Sequence, residues 1–415
     1  MIRGVQLYAH FDLPYGLTVS ALNTERLLRE RGAVIGRHSI AVRESRVEGP
    51  AESDVNLFHI NPDGIIRFMV WPHADPRFED RINACVPFWE LARVPDFWVP
   101  VLSAMDVVLA PTSFVADAVR ASIPQARIIP LPQAVEVPEG VGSARGRFGL
   151  PDGAVVFGTS FAAEAVLDRK NPEATIAAFL QAFPSEQDVR LVVRASPTGE
   201  TEPEKVWAAL EQAAHGDPRV VVPRERLDYA GVLSLYASQD VYVSLHRAEG
   251  LGLGMMESMS LGRPVIATGW SGNMDFMTPD NSRAVAYRLV PVRVDDRSPY
   301  SARSIGFEGE WAEPDVADAA AKMRLLYADP TLRATLGERA RSDMAARARS
   351  VESAEFVDEI ESLYQSGLVD GADHTAKAGA LRALERHEGR RGLYLRPYGR
   401  VRREAGRALR RLGLR

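Results

Sequence analysis

The 415-residue chain is 46% hydrophobic with a formal net charge of -5, long for a single core and rich enough in apolar residues to bury two. Its one cysteine, Cys85, excludes an intramolecular disulfide and a cysteine-built metal cluster, and fits a reducing compartment. No run of about 18 apolar residues could span a bilayer and the N-terminus lacks the apolar core of a signal peptide, so the expected location is cytoplasmic.

Taken in order, 4–9 predicts a short strand, and after a loop over 11–16 the segment 18–31 has helical spacing through Val19, Leu22, Leu27 and Leu28. Residues 55–60 and 65–70 are further apolar runs. Residues 105–110 predict a strand, and Ser113 is placed to cap a helix over 114–121. The run 127–131 closes the first half, and 135–143, with Pro138, Gly140 and Gly142, has the character of a linker.

A fresh series starts with a strand over 154–161, a loop over 162–171 and a helix over 172–182, with Pro172 at its first turn. Segments 189–194, 204–214, 220–222, 230–238, 241–245, 254–261 and 265–268 continue the alternation, and helical stretches follow over 315–327, 330–357 and 357–364. Two successive runs of strand and helix predict an α/β fold with two parallel sheets, each covered by helices on both faces. Ligands in such sheets bind at the carboxyl ends of the strands, which makes the crevice between the halves the expected site.

The chemistry concentrates in 240–273, where a strand leads through Gly250, Gly252 and Gly254 into a helix. Backbone N–H groups of such a loop and the helix N-terminus attract an anion, and phosphate is the natural guest. The G-x-G-x-G spacing departs from the dinucleotide fingerprint G-x-G-x-x-G and argues against a nicotinamide cofactor. Glu249 and Glu257 bracket the glycines, and Glu257, about a turn into the helix, suits a pair of ligand hydroxyls. The alternative for each is a solvated or helix-capping carboxylate. Arg169 and Lys170, ahead of a Pro-started helix, are well placed for the charge of an anion.

With seven residues between Glu249 and Glu257, the stretch SLHRAEGLGLGMMESMSLGRPVIAT resembles the E-x7-E retaining glycosyltransferases of GT-B fold, family 4 type. GLTVSALNTERLLRERG, FWELARVPDFW and APTSFVADAV carry the likeness in the first half, and DRKNPEATIAAF, SGNMDFMTPDNSRAVAYRLVPV and WAEPD in the second. The resemblance implies two Rossmann-like doubly wound parallel-sheet domains facing a central cleft. Their expected limits are 1–140 for the acceptor side and 145–350 for the donor side, with a helix over 351–373 packing back toward the first domain and a basic tail over 374–415.

It also implies a nucleoside-diphosphate sugar held mainly by the second domain. Glu257 would hold the ribose hydroxyls and Glu249 the donor sugar, with Gly250, Gly252, Leu253, Gly254 and Met255 at the diphosphate. His246 would line the sugar pocket, and the base would lie near Arg226 and Leu227. Arg169 and Lys170 would stabilise the leaving diphosphate with no metal or other cofactor, consistent with the absence of any Asp-x-Asp from the chain. Gly16, His59 and Glu90 are the acceptor-side candidates. Two departures stand out: Leu17 and Thr18 follow Gly16 where many relatives carry a second glycine, and Thr159 follows Gly158 where an arginine is common.

The expected function is therefore a retaining, metal-independent hexosyltransferase, mannose preferred, acting on a glycan or lipid-linked glycan acceptor in cell-surface polysaccharide synthesis. A nucleotide-sugar epimerase or phosphorylase on the same fold, and a non-catalytic partner of another transferase, are the alternatives. The segment 374–415 carries 13 Lys and Arg against 3 Asp and Glu, a net of +10 that leaves -15 on the remainder. Val401, Ala405, Ala408, Leu409 and Leu412 recur there at helical spacing among arginines. An anionic membrane surface is thus an expected partner of 377–415, on the inner face of the cell membrane, and no nucleic-acid partner is expected.

Overall fold

A computed structural model describes residues 2–11, 16–39, 52–69, 77–163, 167–197 and 203–391. In the first half, β1 (Gly4–Ala9), α1 (Gly16–Glu30), β2 (Val34–Ser39), β3 (Val55–Phe58), α2 (Pro62–Met69), β4 (Ile82–Cys85), α3 (Val99–Ser103), β5 (Val107–Ala110), α4 (Ser113–Ser122) and β6 (Ile128–Pro130) follow one another. Their strands form a parallel six-stranded sheet in the order β2-β1-β3-β4-β5-β6. Every residue of β1, β3, β4 and β5 is buried, as expected where helices cover both faces and the strands read as apolar runs rather than alternating ones.

The second half runs β7 (Val155–Ala162), α5 (Leu167–Lys170), α6 (Pro172–Ala182), β8 (Val189–Ser196), α7 (Glu204–Ala213), β9 (Val220–Val221), α8 (Tyr229–Ala237), β10 (Val241–Ser244), α9 (Leu253–Ser260), β11 (Val265–Thr268) and β12 (Ser282–Val285). These strands make a second parallel sheet, ordered β12-β11-β10-β7-β8-β9. The chain then leaves the sheet in an antiparallel ribbon, β13 (Tyr287–Pro291) and β14 (Glu310–Pro314), with the short α10 (Ala302–Ile305) at its far end. Ile305 and Tyr300 of this excursion pack among Trp89, Leu91 and Trp98 of the first half.

Four helices complete the described chain: α11 (Val316–Ala328), α12 (Pro330–Glu352), α13 (Glu355–Gln365) and α14 (Ala372–Arg391). Phe356, Val357 and Ile360 of α13 join one apolar cluster that runs from Leu7, Leu57 and Val107 of the first sheet to Met256 and Val265 of the second. Continuous burial of this kind holds the halves face to face.

Several local expectations need correction. The cap of α4 is Thr112, whose hydroxyl accepts from the Val115 N–H at 3.3 Å, while Ser113 is already helical and turns to the second half. The helical stretch over 330–357 is broken at 353–354, where Ala354 adopts a left-handed backbone (φ 49°) that no helix can propagate. Of the apolar runs in the first half, 55–58 is a strand whereas 65–69 lies in α2.

The basic tail does not begin at 374. Residues 374–391 belong to α14, which buries Ala378 and Leu381 against the first half and sets His374 Nδ1 3.0 Å from the Asp106 carboxylate. Arg382, one of the tail's cations, is paired with Glu79 at 2.8 Å. The amphipathic segment over 401–412 lies outside the described residues. No helix among the described residues is long and apolar enough to cross a membrane.

Candidate active site

In an open parallel sheet the crevice forms where the strand order reverses, because the loops leaving the two adjacent strands diverge. In the second sheet that point lies between β7 and β10. The connection after β7, where the sequence predicts a loop over 162–171, holds the short α5 that carries Arg169 and Lys170, and the loop after β10 carries Glu249. Two bonds lock these loops together: the Arg247 N–H donates to the Arg169 carbonyl at 2.8 Å, and Arg169 Nη1 donates to the Ala248 carbonyl at 2.9 Å.

Lys170 Nζ donates to Glu249 Oε2, and Arg169 lies 3.7 Å from the same carboxylate. Arg169 also faces Glu90 of the first half at 3.7 Å. The Tyr300 hydroxyl donates to Glu90 Oε2 at 2.9 Å, and its ring packs against Trp89 with centroids 5.5 Å apart. Two cations and two carboxylates thus meet at the junction of the halves in a site with little access to water. Burial by itself would raise the Glu249 pKa, but Lys170 and Arg169 outweigh it and hold the group at about 2. For Lys170 burial wins, and its pKa is lowered despite Glu249. Arg169 is also penalised by burial, yet Tyr300, Glu90 and Glu249 leave its pKa raised.

The glycine loop is shaped by close approach. A Cβ on Gly250 would sit 2.9 Å from the Trp89 carbonyl oxygen, so only glycine lets the first half come this near. Thr112 donates to the Gly250 carbonyl at 3.0 Å, and the Ser113 N–H donates to Asp275 Oδ2 at 2.7 Å, two more bonds across the cleft. Gly252 caps α9 with φ 97°, and the N–H groups of Met255 and Met256 return to its carbonyl. The N–H groups of Leu253 and Gly254, ahead of them, have no acceptor among the described residues. The start of α1 stands opposite, since a Cβ on Gly16 would lie 2.7 Å from Leu253 Cδ1.

Glu257 sits one turn further along α9 and is only 7% exposed. Burial raises its pKa to about 7, against the lowering effect of a hydrogen bond from Tyr229, the first residue of α8. Leu227 packs against Val156, Val192 and Leu235 just before α8, and Arg226 is exposed beside it.

Residues 160–294 match the model of the family described as glycosyl transferases group 1. Among solved structures, sucrose-phosphate synthase (tll1590) from Thermosynechococcus elongatus superposes with a TM-score of 0.64 at 13% identity, covering 89% of this chain and 100% of that one. A glycosyltransferase from Rickettsia africae ESF-5 gives 0.61 at 11% identity, covering 87% and 98%. Anabaena Alr3699/HepE in complex with UDP-glucose gives 0.60 at 14% identity, covering 88% and 100%. Likeness at such identities is one of fold, and that fold is GT-B. No curated protein matches the chain.

Within the matched residues 160–294 the structure brings Arg169, Lys170 and Glu249 into one cluster, and Glu90 joins them from the other half. His246 stands close enough to Glu249, Lys170 and Arg169 to feel their charges. It is fully buried, with Nε2 near the Trp270 carbonyl (3.3 Å) and Asn273 Oδ1 (3.2 Å) and Nδ1 near Ser244 Oγ (3.0 Å). Burial lowers its pKa to about 4, so the ring is neutral and braces the loop. His59 is likewise buried, 3.3 Å from Ser20 and against Phe88, with burial holding its pKa at about 4. Tyr300 went unnoticed in the sequence. It follows the acidic loop at 295–296, lies beyond the matched residues 160–294, and reaches the site only because the β13–β14 ribbon folds over the first half.

Proposed function

We propose that the chain is a retaining glycosyltransferase that moves a hexose from a nucleoside-diphosphate sugar to a glycan or lipid-linked acceptor entering from the first half. The observation that carries this reading is the Lys170–Glu249–Arg169 cluster at the switch point, one loop away from an α9 N-terminus with free N–H groups. A diphosphate at that N-terminus would compete with Glu249 and Glu90 for Lys170 and Arg169, and the same cations would take up charge as it leaves. They supply this charge without a metal.

The C1–O bond to the diphosphate breaks while the acceptor oxygen bonds to C1 from the same face. The acceptor proton passes to the departing phosphate oxygen. Glu249, held near pKa 2, is too weak a base to take that proton, which favours a positioning role at the donor sugar. Glu257 accepts from the ribose hydroxyls in its ionised form. Solved structures of similar fold in complex with UDP and with UDP-glucose support a nucleotide-sugar donor, and mannose is the preferred hexose. An anionic membrane surface is the proposed partner of 377–415.

Incubation with a panel of uridine- and guanosine-diphosphate sugars, with and without oligosaccharide or polyprenyl-linked acceptors, tests the reading. The expected result is acceptor-dependent release of nucleoside diphosphate, with the anomeric configuration retained in the product by NMR. Acceptor-independent donor turnover would instead indicate an epimerase or hydrolase.

A further inference from the structure

Arg194 is a buried cation of the second half with no ion pair among the described residues. Arg194, near the carboxyl end of β8, is 4% exposed, and its Nε–H has no acceptor. Its Nη1 donates only to the Ser196 hydroxyl, and no carboxylate lies within 4 Å of it among the described residues. The nearest acidic influence is Glu225, which is itself engaged by Arg147 at 2.6 Å. A guanidinium does not discharge when buried as a lysine can, so the fold keeps a charge that it does not neutralise. Structural arginines are rarely left this way, because burial without a partner opposes folding.

Its position says what it waits for. Arg194 pairs in register with Ser160 of β7, the strand at the switch point. Along β8 it shares a face with Val192, which packs against Leu227 and Leu235 on the α8 side. The Ser160 carbonyl accepts from the Tyr242 hydroxyl at 3.1 Å. The hydroxyls of Tyr242 and Tyr236 stand 2.8 and 3.3 Å from where a Cβ on Gly254 would be, in the first turn of α9. Tyr236 is the common neighbour, since the charges of both Arg194 and Glu257 act on it. Arg169 and Lys170 are already engaged by Glu249 and Glu90, whereas Arg194 is unspent.

We propose that Arg194 is a donor-binding residue whose guanidinium receives a phosphate of the bound nucleoside diphosphate. The assignment rests on the donor reading above. It adds a cation on the nucleoside side of the α9 N-terminus, from the strand next to Thr159, where the sequence lacks an expected arginine.

Calorimetric titration of the full chain with UDP, GDP, uridine and guanosine tests it in the wild type, R194M and R194K. The preferred diphosphate should lose about tenfold or more in affinity in R194M while the matching nucleoside is unaffected, with R194K intermediate. R194M should unfold at the wild-type temperature or above it, since an unpaired buried charge is gone. Wild-type diphosphate affinity in R194M, or an equal loss for nucleoside and diphosphate, would overturn the assignment and leave the donor reading standing. Binding of neither UDP nor GDP by the wild type would overturn both.

Discussion

Glu249 and Glu257 are the same residue type in one short stretch, and both are buried, yet their surroundings drive them in opposite directions. Glu249, among Lys170, Arg169 and the cleft, is held at about 2; Glu257, with a tyrosine hydroxyl but no cation, rises to about 7. The first is a permanent charge that preorganises two cations. The second changes charge near neutrality and is ready to be stabilised by ligand hydroxyls. Burial alone therefore does not set the behaviour of a carboxylate; the deciding factor is whether a cation is buried with it.

Replacing the cation should have the largest consequence. Lys170→Ala is expected to slow transfer by about 100- to 1000-fold, the scale of losing one group that stabilises developing charge, and initial rates at saturating donor would measure it. Wild-type turnover in that variant would break the contrast at its charged end.

Glu257→Gln probes the other end. The folded pKa of Glu257 lies above its ordinary value of 4.5, so its contribution to stability is complete below pH 4.5 and is lost as pH rises through about 7. The loss amounts to roughly 3 kcal/mol at most, from the size of the shift. Urea titrations of the ligand-free protein should show this decline in the wild type and not in the Gln variant. Donor affinity should fall at least about tenfold in the same variant, since ribose hydroxyls would lose a charged acceptor. Glu249 has the opposite sign: its contribution is present above pH 4.5 and fades as pH falls toward 2.

A smaller effect is expected from Tyr300→Phe, which removes the hydroxyl on Glu90 while keeping the ring against Trp89. Loss of one such bond is worth about 1 kcal/mol, a fall of roughly fivefold in kcat/KM, carried mainly by kcat if Tyr300 orients Glu90 and Arg169. Asp275→Asn loosens the bond to the Ser113 amide across the cleft. Its expected cost is about twofold in donor KM, consistent with an exposed contact.

Much of the fold was readable because its signals are local. Apolar runs of strand length alternating with helical spacing are dictated by neighbours in the chain, and they placed β7, α6, β8, α8 and β10 close to where they stand. The glycines at 250, 252 and 254 announced a tight turn into a helix for the same reason. Arg169, Lys170, Glu249 and Glu257 were legible as candidates from their spacing and from the family resemblance.

Other features depend on partners far away in sequence. Ala354 breaks a helix whose sequence reads as continuous, and α14 absorbs part of an apparent tail because Asp106 and an apolar surface await it. His246 also braces the loop, since its position depends on Trp270 and Asn273. By itself, the sequence determined the two βα series, the glycine loop and the identities of its charged residues. Only tertiary structure decided that Glu90 and Tyr300 would close over Arg169, that Arg194 would be buried without a counter-ion among the described residues, and that two glutamates would part in pKa. Those outcomes depend on desolvation and on charges less than 4 Å away, and both come into being only when distant segments meet.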